Sequence, residues 1–305
     1  MIVITAPTGN IGRRLLSLLV EAAPAHGEEL RVVARDPGRI PEALRAEVEV
    51  VTGSHGDPAT VERAFTGADA VFWLVPPDAS LTPEEAYSGF TRPAARAFAA
   101  HGVGRVVGVS ALGRGTPQAG RAGLVSASLA MDDLIADTGV AYRALANPSF
   151  FENLLEEADS IREHGVFTDT AAADRPAPLV AVADIAATAA GLLLDRSWTG
   201  VGSVPVLGPE DLSPDDMARI MSEQLGRPVR YARESLDEMR SAMLAHGLNE
   251  VFVEGMVDMK RAKDHGLDSG VARSPQAGPA TGFAQWCAQT LKPAVLATSE
   301  AVDAH

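Results

Sequence analysis

Between residues 2 and 146 short apolar runs alternate with amphipathic stretches, and this alternation leaves few folds open to the chain. Runs at 2–5, 30–34, 48–52, 70–75, 103–110 and 141–146 have the length and the valine and isoleucine content of strands. Between them, residues 11–22, 59–65, 93–101 and 123–138 read as helices. Strand and helix in steady succession predict a parallel sheet with helices on both faces, because parallel neighbours need long crossovers. Beyond residue 147 the rhythm loosens. Helices are expected there at 153–163, 184–194, 213–225 and 235–246, and strands at 180–182 and 203–207. The expected fold class is α/β: a Rossmann-type doubly wound parallel sheet over 1–150 and a smaller α/β cap over 151–291. Residues 179–208 are expected to return to the sheet, and 292–305 have the composition of a tail.

Composition removes several classes of function. The 305 residues carry 26 Lys and Arg against 40 Asp and Glu, a net charge of −14 that repels phosphate backbones, so nucleic acid is not an expected partner. A single cysteine, Cys287, leaves no internal disulfide framework and no zinc site built on several thiolates. No His, Asp and Glu spacing suggests a metal site. The sequence opens directly on an apolar strand without a signal peptide's pattern, and no run reaches the roughly 18 apolar residues of a membrane span. A cytoplasmic protein that does not enter membranes is the expectation; a homodimer stays open.

The most informative segment follows the first strand: Ala6, Pro7, Thr8, Gly9, Asn10, Ile11 and Gly12, a tight loop opening a helix. Glycines there let backbone N–H groups approach a pyrophosphate at the helix's positive end. Thr8, Gly9, Asn10, Ile11 and Gly12 are therefore candidate cofactor contacts. The chain here resembles the NmrA-like family of atypical short-chain dehydrogenases/reductases, including its quinone-reductase branch. The family loop reads Gly-Ala-Thr-Gly-x-x-Gly, with Ala6 and Pro7 replacing its first two residues in this chain. The likeness continues at Arg35, Asp36 and Pro37, at Ser110 and Ala111, and through Phe150, Phe151, Glu152 and Asn153. It resumes at Asp184, Ile185 and Ala186, at Gly208, Pro209 and Glu210, and at Gly226, Arg227 and Pro228.

The end of the second strand reads the adenosine ribose, a carboxylate suiting a 2′-hydroxyl and an arginine a 2′-phosphate. Arg35 in that place, with Arg13 near the start of the first helix, predicts NADPH as cofactor. Ser54 at the third strand's end would lie near adenine, with His55 beside it. Leu74, Val75 and Pro76 at the fourth would follow the pyrophosphate and ribose, and Ser110 at the fifth would face the nicotinamide. The resemblance implies that Asn147, Pro148, Ser149 and Phe150 also border the nicotinamide. Relatives often carry a lysine or histidine near the position of Ser128 and an arginine before Asn147; this chain has Ser128 and Ala146.

A Tyr-x-x-x-Lys mechanism is excluded. Four residues after Tyr87, Tyr142 and Tyr231 stand Thr91, Ala146 and Ser235, and the only lysines are Lys260, Lys263 and Lys292. Six of seven histidines precede glycine, a pattern of helix ends. Asp132, Asp133, Glu156 and Glu157 read as solvated helix faces. Ser110 and Asn147 are left as candidate polar groups for catalysis. Trp73, Phe151, Met239 and Met243 are candidates for an apolar substrate pocket, although methionine stripes of this kind more often form plain core. The resulting expectation is an NADPH-dependent oxidoreductase passing hydride to a quinone or conjugated carbonyl, an aromatic polyketide of specialised metabolism being one variant. The alternative is a non-catalytic NADP(H)-sensing regulator acting through protein contacts.

Overall fold

A computed structural model describes residues 1–273 and 280–297. The first half runs β1 (Ile2–Thr5), α1 (Asn10–His26), β2 (Leu30–Ala34), α2 (Glu42–Arg45), β3 (Glu49–Thr52), α3 (Pro58–Phe65), β4 (Ala70–Trp73), α4 (Phe90–Ala100), β5 (Arg105–Ala111), α5 (Leu124–Ala136) and β6 (Ala141–Asn147). The second continues with β7 (Ser149–Phe150), α6 (Ala158–His164), β8 (Val166–Asp169), β9 (Ala177–Val180), α7 (Val182–Leu194), β10 (Val201–Pro205), β11 (Asp211–Leu212), α8 (Pro214–Leu225), β12 (Arg230–Arg233), α9 (Leu236–Ala245), α10 (Glu250–Asp264), α11 (Phe283–Trp286) and α12 (Lys292–Leu296).

Seven strands form one parallel sheet in the order β10-β6-β5-β4-β1-β2-β3. The expected Rossmann-type α/β class is what the chain adopts. Every residue of β1, β2 and β4 is buried, as continuous apolar strands must be when helices cover both faces. β3 closes one edge and alternates instead, with Glu49 and Thr52 exposed and Val51 buried. On one face α1 and α7 bury Leu15, Leu16, Leu19, Ile185, Ala189 and Leu193. On the other, α3, α4 and α5 bury Val61, Phe65, Phe98, Met131 and Ile135. Each large apolar side chain removed from water contributes roughly 1.5–3 kcal/mol, so the helices are held by their inner faces.

The rest builds a second core around Phe151, Phe167, Met221, Phe283, Trp286 and Leu291. β11, β9 and β7 form a small mixed sheet, and β12 pairs with β8. The strand expected at 180–182 lies earlier, at Ala177–Val180, and Val182 opens α7. Buried Glu152 explains the change, because its Oε2 accepts the Val182 N–H at 2.9 Å and stabilises a helix start there. Lys292–Leu296, of tail-like composition, is helical and buries Val295 against the second core; 298–305 lie outside the described residues. Among the described residues no helix is long and apolar enough to cross a membrane.

Candidate cofactor and active site

Because β1 to β6 run parallel, their C-terminal ends share one edge, and the strand order reverses between β1 and β4. A crevice at such a reversal is where open α/β sheets bind ligands. Thr5 fastens it. Its fully buried hydroxyl donates to the Phe72 carbonyl at 2.9 Å and accepts the Leu74 N–H at 3.1 Å, tying the ends of β1 and β4 together. The sequence reading passed over Thr5, although a hydroxyl ending an apolar buried strand is a readable signal.

The two glycines of the loop differ in kind. A Cβ on Gly12 would overlap the Ala6 carbonyl, so Gly12 lets α1 pack against its own loop. A Cβ on Gly9 would meet only the Ala6 oxygen at 3.5 Å, an ordinary contact, and the Gly9 backbone is extended (φ −79°, ψ 172°). Gly9 is exposed, and no side chain caps α1, so N–H groups of its first turn remain for an anion. Ala6 adopts φ +48°, a left-handed conformation that glycine takes without strain.

At the adenosine end Arg35 is exposed at the tip of β2. The neighbouring carboxylate does not compete for a ribose, because Asp36 Oδ1 accepts the Gly38 N–H at 2.9 Å and caps the short turn Pro37–Arg39. Ser54 also turns inward, accepting the Gly56 N–H at 3.2 Å. His55 is 7% exposed, edge-on to Trp73 and Phe90, with Nε2 2.9 Å from the Leu74 carbonyl. Burial, partly offset by that hydrogen bond and reinforced by the charge of Arg35, pushes its imidazole down to about 4.

At the other end a polar cluster is buried. Ser110 Oγ donates to Asp132 Oδ2 at 2.5 Å, and the Tyr142 hydroxyl donates to Asp132 Oδ1 at 2.6 Å. Gly108 makes this reach possible, since a Cβ there would collide with the Tyr142 hydroxyl. Asp132 is 3% exposed, so only its neighbour Asp133 belongs to a solvated helix face, and the expectation for Asp132 is corrected. Helical phase decides this: Ser128 and Asp132 stand one turn apart on the buried side of α5. Asn147 Nδ2 donates to the carbonyls of Ser110 and Leu145 at 3.1 and 2.8 Å, leaving its buried Oδ1 without a partner in the protein.

The candidate pocket residues do not gather. Trp73 is fully buried in the sheet core, its Nε1 donating to Thr91 Oγ1 at 3.1 Å. Phe151 packs in the second core, 5.1 Å from Phe283 and 5.6 Å from Trp286 between ring centres. Both are corrected from pocket walls to core, because Trp73 is fully buried and Phe151 2% exposed, each packed within an apolar cluster. Met239 and Met243 are half-buried on α9, Val75 and Pro148 are buried, and Thr8, Leu74 and Phe150 are half-buried; Asn10 and Pro76 are exposed. An open cavity of about 640 Å³ lies elsewhere, among residues that include Arg233, Ser235, Glu238, Lys260 and Asp264. It contains none of the residues at the C-terminal ends of β1 to β6 and no phenylalanine, tryptophan or methionine, so it does not suit a flat apolar ligand. Among the described residues no cluster of three or more His, Cys, Asp or Glu could hold a metal ion.

An open Cα at Gly9, an uncapped helix start, a free guanidinium at Arg35 and an unpartnered amide oxygen at Asn147 all fit a dinucleotide along this edge. Residues 7–196 match the family described as NAD(P)H-binding. The chain is 31% identical over 293 residues to the (4-alkanoyl-5-oxo-2,5-dihydrofuran-3-yl)methyl phosphate reductase of Streptomyces griseus, covering 95% of this chain and 97% of that protein. It is 27% identical over 271 residues to quinone oxidoreductase 2 of Escherichia coli, covering 88% and 89%. The NADPH complex of the E. coli NADPH-dependent quinone oxidoreductase superposes with a TM-score of 0.75 at 25% identity, covering 94% and 98%. The Citrobacter triphenylmethane reductase complexed with NADP(H) gives 0.78 at 20% identity, covering 95% and 99%. A dinucleotide crevice at the sheet reversal and a match over residues 7–196 agree, and the chain belongs to the NAD(P)H-binding family.

Proposed function

We propose that this protein is an NADPH-dependent oxidoreductase that reduces a quinone or another conjugated carbonyl compound, with an aromatic polyketide as one variant. The observation that carries the reading is the pairing of an open Gly9 turn with a free Arg35 whose acidic neighbour is engaged in its own turn. The relatives' substrates, a quinone and an unsaturated lactone bearing a further carbonyl, share the conjugated acceptor that the reading requires. Bound NADPH supplies the hydride. Backbone N–H groups at the start of α1 hold the pyrophosphate, and Arg35 holds the 2′-phosphate. Thr8, Asn10, Ile11, Ser54, Leu74, Val75, Pro76, Pro148 and Phe150 line its course along the strand ends. Asn147 Oδ1 accepts a hydrogen bond at the nicotinamide end, and Ser110 faces the acceptor. The reading includes residues 1–150 as the cofactor domain and a cytoplasmic location.

A second reading, an NADP(H)-sensing regulator, draws on Ser128 and Ala146 standing where relatives often carry basic groups. Loss of NADPH absorbance across a panel of quinones and enones separates the two. Turnover supports the oxidoreductase; tight, unequal binding of NADP⁺ and NADPH without turnover of any acceptor would sink it.

A further inference from the structure

Asp132 is costly where it stands. A carboxyl taken out of water needs a partner charge or a proton. The nearby cation, Arg114, is 3.5 Å from Asp132 and makes its closer bond, 2.9 Å, to Asp133. Of the cations on α4 and α10, which also pack on α5, Arg92 pairs with Glu84, Lys260, Arg261 and Lys263 pair with Asp169, Asp258 and Asp268, and Arg96 is exposed. Tyr87, on the turn before α4, is half-buried and its hydroxyl is pushed up to about 12 by desolvation; Arg121, before α5, is exposed. Burial pushes the Asp132 carboxyl above the usual range, against the Ser110 and Tyr142 hydrogen bonds and Arg114, which act the other way.

The proton on Asp132 sets the direction of the Ser110 hydroxyl. When Asp132 is ionised, both hydroxyls donate to it, and the Ser110 hydrogen points inward. When Asp132 Oδ2 carries a proton, that oxygen donates to Ser110 Oγ, and the serine hydrogen is free to point at a ligand. Ser110 ends β5 at the edge that holds the crevice. We propose that Asp132 is a positioning residue that acts through Ser110, turning its hydroxyl toward the acceptor's oxygen and replacing the proton that oxygen takes. This rests on reading the crevice as a reductase site.

The step balances. Hydride adds to the acceptor carbon with its electron pair, and the displaced π pair moves to the carbonyl oxygen. That oxygen takes the Ser110 proton, and Ser110 Oγ takes the proton from Asp132 Oδ2. Asp132 is left as a carboxylate beside Arg114 and regains a proton from water after product leaves.

Two measurements test this. In infrared difference spectra of the cofactor-free protein, a carboxylic-acid band should disappear as pH rises and be absent in Asp132→Asn. In Tyr142→Phe, which removes a hydrogen bond favouring the charged form, the band should persist to higher pH. In turnover, kcat with a cyclic enone should fall as pH rises through the same titration. Asp132→Asn should lower that kcat by roughly 100-fold or more and flatten its pH profile. With menadione the loss should be much smaller, because a hydroquinone anion takes its proton from water. A missing acid band, an unchanged pH profile or equal losses for both acceptors overturns the proposal. If Asp132→Asn does not fold, the Tyr142→Phe band and its kcat profile decide: both must move to higher pH. Failure of the wild type to reduce either acceptor overturns the reductase reading itself, and this proposal with it.

Discussion

The Gly9 turn and the Asp132 cluster stand at the same sheet edge and are built by opposite means. The turn works through what is missing: no Cβ at Gly9, no capping side chain on α1, no carboxylate free beside Arg35. The cluster works through what is present, with four polar side chains from β5, α5 and β6 packed into the interior. A binding surface for a charged cofactor can be left open to water, whereas groups that direct a proton must be held apart from it. The first kind of site is made by neighbours in sequence. The second is made by neighbours in space.

The hardest test of that contrast falls on the turn. Gly9→Val should weaken NADP(H) binding by roughly 100-fold or more while the cofactor-free melting temperature stays at the wild-type value. Gly12→Ala should do the converse in kind, costing about 1–3 kcal/mol of stability through the collision with Ala6. Titration calorimetry and thermal melts read both; normal binding by Gly9→Val would mean the turn is no phosphate cradle.

His55 is next, a buried side chain on the turn's side of the crevice. Its folded-state pKa, about 4, lies below the ordinary 6.5, so the unfolded chain takes up the proton first. Stability is therefore fully present above pH 6.5 and is lost as pH falls through about 4, by on the order of 3 kcal/mol. His55→Gln should remove that part of the acid dependence. Denaturant titrations at a series of pH values check it, and an unchanged slope would show that the imidazole titrates freely.

Arg35 carries a smaller effect. Its contact with a 2′-phosphate should contribute about 1.5–3 kcal/mol, or roughly 10- to 150-fold in favour of NADPH over NADH. Arg35→Ala should bring the two affinities towards parity, while equal affinities in the wild type would reduce Arg35 to a surface charge. Smallest is Ala6→Gly. Relieving φ +48° should raise stability by about 0.5–1 kcal/mol with cofactor affinity retained.

The contrast also explains what could be read in advance. The alternation of apolar runs and the Gly9–Gly12 spacing are local signals, and they led to the sheet and the family. Asp132 beside Asp133 gave no such signal. The packing of α5 on β5 and β6 fixes the helical phase that turns Asp132, with Ser128, inward. Trp73 and Phe151 misled for a related reason, since an aromatic at a strand's end fits pocket and core equally well until its neighbours are known. Val182 reads as strand because β-branched apolar residues suit one, and the Glu152 carboxylate that makes it a helix start is distant in sequence.

The placement of α7 bears on how the protein is made. Its residues Ile185, Ala189 and Leu193 seal the sheet face on which α1 lies, and β10 joins the sheet later still. A nascent chain that has emerged only as far as β9 has already produced every loop of the dinucleotide crevice, yet the sheet beside α1, under β4, β5 and β6, is bare. Such an apolar face is what chaperones grip and what aggregation starts from. Ability to bind cofactor should therefore appear late in synthesis, with the helix that begins at Val182, long after the glycine turn itself has left the ribosome.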